Sequence, residues 1–252
     1  MTVSTLRSPA PMPHWQARVD LAAAFRLAAQ MDWHEAVGNH FSVAVSDDGR
    51  QFLLNPRWRH FSTLRASELL LIDSDDPETM QRADAPDPSA WCIHGHLHRH
   101  VPHARCVLHV HPPYGTALAT LADPTVLPID QVTAKFYNRV AIDRDFGGIA
   151  DFAAEGERLA RALGTYRHMI LGNHGVLCTG ATVAETFDEL YFLERAARTL
   201  VLAYSTGQPL KVLTPEIAER TARGWEDYGQ AAFCHFAELK RGLDAVDPSY
   251  AT

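Results

Sequence analysis

Seven of the chain's 14 histidines fall within residues 94–111, between the helix start Asp87-Pro88-Ser89 and the proline pair Pro112-Pro113. An even spread along the chain would place about one there. Imidazole is the commonest metal ligand, so this window is the first functional suspect. It also dictates local structure. Ile93, Leu97 and Val101 recur at i, i+4 and i+8, a helical stripe that Pro102 ends. Residues 106–111, CVLHVH, then read as a strand, on which His109 and His111 share one face because side chains at i and i+2 do. Such a pair has the spacing a single ion needs and lacks a third ligand. His174 is the natural candidate, in a tight loop between two strands whose Gly172 and Gly175 let the backbone bend.

The rest of the chain carries both periods. Residues 15–31 fit a one-sided helix. GNHFSVAVS and RQFLLNP read as strands joined by the Asp47-Asp48-Gly49 turn, and Leu69–Ile72 as a short buried strand. Pro112-Pro113 opens a helix through about residue 122. Val126–Ile129 and Arg139–Ile142 are expected as strands, and residues 151–163 as a helix closed by Gly164. Strands at 168–171 and 176–178 flank His174. Thr182 and Glu185 cap a long helix ending at Gly207, and Thr214-Pro215 starts one last helix to about residue 241. Strict βαβ alternation is missing, which predicts an α/β fold: a single three-layer α/β/α domain with a mainly antiparallel central sheet. We place an N-terminal arm at 1–14, this domain at 15–242 and a tail at 243–252.

The formal charge of −7 lacks the basic excess of a nucleic-acid binder. No run approaches the roughly 18–20 apolar residues of a membrane span, and the first residues lack a secretory pattern. Cys92, Cys106, Cys178 and Cys234 form no C-x-x-C pair. A cytoplasmic enzyme acting on a small molecule is the expectation, without nucleic-acid or membrane partners.

HVHPPYGTAL, followed by ILGNHGVLCTGATVAETFDELYFLE and preceded by GNHFSV, resembles the class II aldolase/adducin family from about residue 15 to 207. The resemblance implies the α/β/α domain, one divalent ion per subunit on His109, His111 and His174, and a homotetramer with active sites at subunit interfaces. It makes Asn39 and Ser42 loop donors to substrate, and Tyr137 a candidate catalytic acid reaching a neighbouring subunit. Zinc is the first choice of ion, with iron(II), manganese or cobalt as alternatives. Two departures stand out. Sugar-phosphate members carry a metal-binding carboxylate, which also works as base, where this chain has Ala90. Their phosphate-cradling turn is replaced by Asn55-Pro56-Arg57-Trp58, in which Arg57 can grip a carboxylate instead. Trp58 and Trp91 nearby point to a more apolar substrate. His94 and His98 lie one turn apart on the side of Ala90, so either ring can face the metal pocket, with His94 the candidate catalytic group; a hydrogen-bonded helix pair is the plain alternative.

These residues predict a metal-dependent carbon–carbon lyase, of aldolase or decarboxylase type, working through an enolate on a small carbonyl or carboxylate substrate that is not a sugar phosphate. Decarboxylation is favoured because losing carbon dioxide forms the enolate without proton abstraction. The lost carboxylate and the Asn-Pro turn also resemble the aldolase-like non-haem iron oxygenases that form prenylated hydroxybenzoate, and an oxygenase is the alternative.

Overall fold

The computed structural model describes residues 12–148 and 153–252. Among them, strands β1 (His40–Ala44), β2 (Gln51–Leu54), β3 (Leu70–Asp73), β4 (Cys106–Val110), β5 (Val140–Asp143), β6 (His168–Leu171) and β7 (Gly175–Gly180) form one sheet in the order β3-β2-β1-β4-β7-β6-β5. Every neighbouring pair is antiparallel except β5–β6, so the mainly antiparallel sheet holds. The helices are α1 (Trp15–Gln30), α2 (Pro88–His100), α3 (Pro113–Ala119), α4 (Gln131–Lys135), α5 (Ala153–Leu163), α6 (Val183–Ser205), α7 (Pro215–Glu226) and α8 (Gly229–Val246). None is long and apolar enough to cross a membrane.

The period of two along the strands sorts side chains into layers. Cys106, Leu108 and Val110 of β4, with Phe41 and Val43 of β1, enter the larger core beneath α1, α3, α6 and α8, where Phe25, Phe187 and Phe236 are buried. Val107 points the other way, joining Ile93 and Leu97 of α2 and Leu159 and Leu163 of α5. His109 lies two residues beyond Val107 and keeps its face. The β1–β4 register sets His40 opposite His109 and Ser42 opposite Val107, so the face under α2 mixes apolar and polar side chains.

Four expectations are corrected. Val126–Ile129 forms no strand: Pro124 precedes it and Pro128 interrupts it, and the chain passes into α4, capped by Asp130 accepting from the Thr133 N–H at 2.7 Å. The α3 helix stops at Ala119. The last helix is two, broken at Asp227-Tyr228, which lets Trp225 pack on Phe192 (4.9 Å between centroids) and Phe236 reach Phe187 (5.7 Å). Residues 243–252, set apart above as a tail, finish α8 and fold onto α1, where Arg26 pairs with Asp247 at 3.1 Å and Tyr250 is buried. The expected helix start at Asp151 lies outside the described residues.

Two consequences are measurable. Gly49 closes the β1–β2 turn at φ +73°, and a Cβ there would lie 2.0 Å from the His98 carbonyl oxygen. Gly49→Ala therefore meets both a disfavoured backbone and a hard contact. It should destabilise by at least about 2 kcal/mol, a fall of about 4–8 °C in Tm by calorimetry.

Glu194 of α6 accepts the Tyr114 and Gly115 N–H groups at 2.9 and 2.6 Å, anchoring the start of α3. Burial raises its pKa from 4.5 to about 7. The folded chain then binds more protons here than the unfolded one between those values, so this residue's contribution to stability falls as pH climbs from about 4.5 through about 7. Urea midpoints across that range should decline less in Glu194→Gln than in the unsubstituted protein.

Candidate metal centre and its cavity

Three imidazoles converge at the carboxyl end of β4. The centroids of His109, His111 and His174 stand 5.0, 4.8 and 4.7 Å apart, and one ring nitrogen of each lies within 4.8 Å of the others. The orientation of two rings follows from their outer partners. His109 donates Nδ1–H to the Val176 carbonyl at 3.0 Å, leaving Nε2 3.3 Å from the Nε2 of His111. His111 is held on its far side by a short contact between Nδ1 and the Glu35 carboxylate. A partner on the outer nitrogen fixes the tautomer and aims the inner lone pair.

The third ring is delivered by the β6–β7 turn, but the glycines act differently from the expectation. Neither Gly172 nor Gly175 adopts positive φ; that conformation falls on Asn173, at 57°. The glycines permit close approach instead. A Cβ on Gly175 would lie 2.6 Å from both Cδ2 of His111 and the Val110 carbonyl oxygen, and one on Gly172 would lie 2.9 Å from the Asp143 carbonyl oxygen.

Burial, reinforced by neighbouring imidazoles, holds His109 well below the ordinary histidine range and pushes His174 down to about 4. The centre thus favours neutral rings with free lone pairs, the state a divalent ion requires. Three nitrogen donors, two of them with supported outer sides, fit such an ion and leave positions for a substrate.

The centre opens on a cavity of about 500 Å³, whose walls include His40, Asn39, Asn55, Ser89 and Asp87, with Arg57, Trp58 and Phe146 towards its rim. Asn39 and Arg57 both line this cavity. Asn39 turns the chain at φ 66° and accepts the Glu35 N–H at 2.9 Å. Arg57 lies 3.9 Å from Asp87 and stacks at 4.4 Å on Trp58, which is 62% exposed.

The other candidates lie elsewhere. Ser42 is a buried residue of β1 rather than a loop donor, and it bonds to His94 and His98. His94 is fully buried, and His40 stands between it and the centre, hydrogen-bonded to it at 2.7 Å with its own ring 5.0 Å from that of His109. Tyr137 follows α4 and is absent from the walls of this cavity in its own chain. Ala90 packs with Phe52, Leu54 and Ile72, so the cavity wall from α2 is Ser89 and Ile93. Glu35 and His40 were missed. Glu35 gives no periodic signal in its loop, whereas alternation along β1 places His40 on the face of Ser42 and could have revealed it.

Residues 19–201 match the family described as Class II Aldolase and Adducin N-terminal domain. The chain belongs to the class II aldolase/adducin family. It is 32% identical to an aldolase class 2 type protein of Caulobacter vibrioides over 98% of this chain and 96% of that one. It is 27% identical to Decarboxylase NovR of Streptomyces niveus over 92% and 85% of the two chains. A crystal structure of an aldolase II superfamily protein from Pseudomonas syringae superposes with a TM-score of 0.87 at 31% identity, covering 99% of this chain and all of that one. The family fold and its α/β/α layers are those described above.

Removing the support behind His111 should loosen the ion without removing a ligand. Glu35→Gln is expected to weaken zinc affinity about 10–100-fold in competition with a chelating dye, whereas His174→Ala should abolish stoichiometric binding.

Proposed function

We propose that this chain is a metal-dependent carbon–carbon lyase that decarboxylates a small carbonyl acid rather than cleaving a sugar phosphate. The observation that carries this reading is the α2 wall. Ala90 is buried in an apolar cluster, and the two carboxylates that line the cavity among the described residues are already engaged. Glu35 holds His111, and Asp87 caps α2 by accepting from the Ser89 N–H at 2.9 Å. A step that begins with proton abstraction therefore lacks a free carboxylate base. Decarboxylation needs none: the bond to the carboxylate carbon breaks, carbon dioxide leaves, and its electron pair passes to the neighbouring carbonyl as an enolate that later takes a proton from water.

His109, His111 and His174 would hold the ion, zinc first, with iron(II), manganese or cobalt as alternatives. The bound ion supplies a Lewis acid for a carbonyl oxygen and for the charge that gathers there as the bond breaks. Arg57 receives a carboxylate of the substrate, since its side chain is 40% exposed and its own pairing with Asp87 is long. Phe146, whose ring is 6.1 Å from that of His174, and Trp58 give the rim apolar surface for the rest of the molecule. The relative named as a decarboxylase supports the reaction type.

The same reading includes a homotetramer with active sites at subunit interfaces, where Tyr137 would reach a neighbour's cavity. Tyr228, Phe233 and Val246 are exposed on or beside α8 and offer apolar surface for such contacts. Light scattering should give about four times the 28.0 kDa of one chain; a stable mass near one chain would end that part.

The reaction is tested by following carbon dioxide release from a panel of 3-oxo acids while oxygen uptake is recorded on the same tag-free, metal-analysed protein. Release without oxygen consumption is expected, lost in His174→Ala. Stoichiometric oxygen uptake would support the oxygenase instead. Fuculose 1-phosphate should turn over far below the roughly 1–10³ per second usual for enzymes.

A further inference from the structure

We propose that His94, Ser42 and His98 form a buried hydrogen-bond chain that locks His40 as the Nδ1–H tautomer and turns its Nε2 lone pair on the cavity, where it accepts from a hydroxyl of the substrate. His94 and Ser42 then act as positioning residues, not as groups that touch the substrate.

The direction of the chain follows from its far end. His98 Nδ1 stands 2.6 Å from the Ala104 carbonyl oxygen, which can only accept, so Nδ1 carries the proton. All three rings are buried, 0% exposed for His94, 4% for His98 and 5% for His40, which favours one proton on each. The Nε2 of His98 is therefore an acceptor, and Ser42 Oγ, 2.6 Å away, donates to it. Having spent its single hydrogen, Ser42 must accept from the Nδ1 of His94, with which it makes a short contact. The Nε2 of His94 is left as an acceptor, and the Nδ1 of His40 donates to it at 2.7 Å.

His40 thus ends the chain with a bare Nε2 beside the cavity. Its nearest protein partner there is Ser89 Oγ at 3.4 Å, and that hydroxyl gives its hydrogen to the Asp87 carboxylate at 2.6 Å. A charge-assisted bond at the shorter distance holds the proton on that side. The acceptor on His40 is consequently available to a donor that enters the cavity. A substrate hydroxyl is such a donor, and an analogue bearing hydrogen in its place leaves the nitrogen unpaired. This last step rests on the reading that the cavity takes a carbonyl acid; the tautomer lock does not.

The lock is tested on zinc-loaded, 15N-histidine-labelled protein by long-range nitrogen–proton correlation. Histidines 40, 94 and 98 should each show a protonated Nδ1 and a bare Nε2, and a protonated Nε2 on His40 would overturn the proposal without any variant being made. The hydroxyl is tested by calorimetry with two sulfonic acids as probes, 2-oxopropanesulfonate and 3-hydroxy-2-oxopropanesulfonate, which mimic 3-oxo acids and cannot lose carbon dioxide. The unsubstituted protein should bind the hydroxylated probe up to about tenfold more tightly. That preference should vanish in Ser42→Ala, which cuts the chain, and return in Ser42→Thr, which restores a hydroxyl. Equal binding of both acids, or a preference untouched by Ser42→Ala, would overturn the role of His40. Failure of both acids to bind would count against the carbonyl-acid reading and the hydroxyl contact drawn from it, while the spectrum would still decide the lock.

Discussion

The pairing of β1 with β4 is the constraint on which the site depends. Its register sets His40 opposite His109 and puts Ser42 on the same face two residues along. Because side chains alternate, a slip of one residue would send these groups into the apolar layer around Phe41 and Leu108 and bring phenylalanine and leucine under α2. Such a slip would bury imidazoles without partners and open apolar surface to the cavity, so the large core and the polar layer enforce one register together. The candidate metal ligands on this strand inherit their direction from that register, since His111 lies two residues after His109.

The α2 layer is polar for a reason that packing alone does not supply. Val107 and Leu177 meet Ile93 and Leu97 in an ordinary apolar contact, yet beside them His94 and His98 turn inward to meet His40 and Ser42. Buried polar groups are tolerated when each finds a partner, and a partly satisfied network is worse than an apolar one. Here the chain of bonds ends on a backbone carbonyl left available where α2 gives way to β4, so the helix end and the network complete each other. Gly49 belongs to the same arrangement, because its missing Cβ lets the β1–β2 turn sit against the His98 carbonyl.

Much of this was legible in the chain, in proportion to how local the physics is. The helix over α2, the strand carrying His109 and His111, the hairpin at Gly49 and the long α6 all rest on periodicity or capping within a few residues. The short α4 escaped because five residues show no period, and Val126–Ile129 looked like a strand because its β-rich composition outweighed the prolines around it. The break at Asp227-Tyr228 is set by where Trp225 and Phe236 find partners on Phe192 and Phe187, contacts no local pattern encodes. In the site, the three-histidine cluster followed from strand alternation and one turn, whereas the Glu35 contact joins residues 76 positions apart and leaves no trace in spacing.

The position of Glu35 connects the absent carboxylate at Ala90 with the chemistry proposed. A carboxylate facing the cavity from α2 could bind an ion and also take a proton from a substrate. Behind His111 it does neither, because an imidazole lies between it and the centre; what it can do is polarise that ring and hold its inner lone pair in place. The cavity keeps three convergent imidazoles that could hold an ion while its α2 wall presents a serine and an isoleucine. With an ion held on the three histidines, such a site would suit a bond that breaks by expelling a neutral molecule, since the ion would meet the charge left behind and no base must be found at the moment of cleavage. Hydrogen bonding to the substrate then falls to groups that hold fixed donors and acceptors, and the buried chain ending at His40 is built to keep one of them from changing direction.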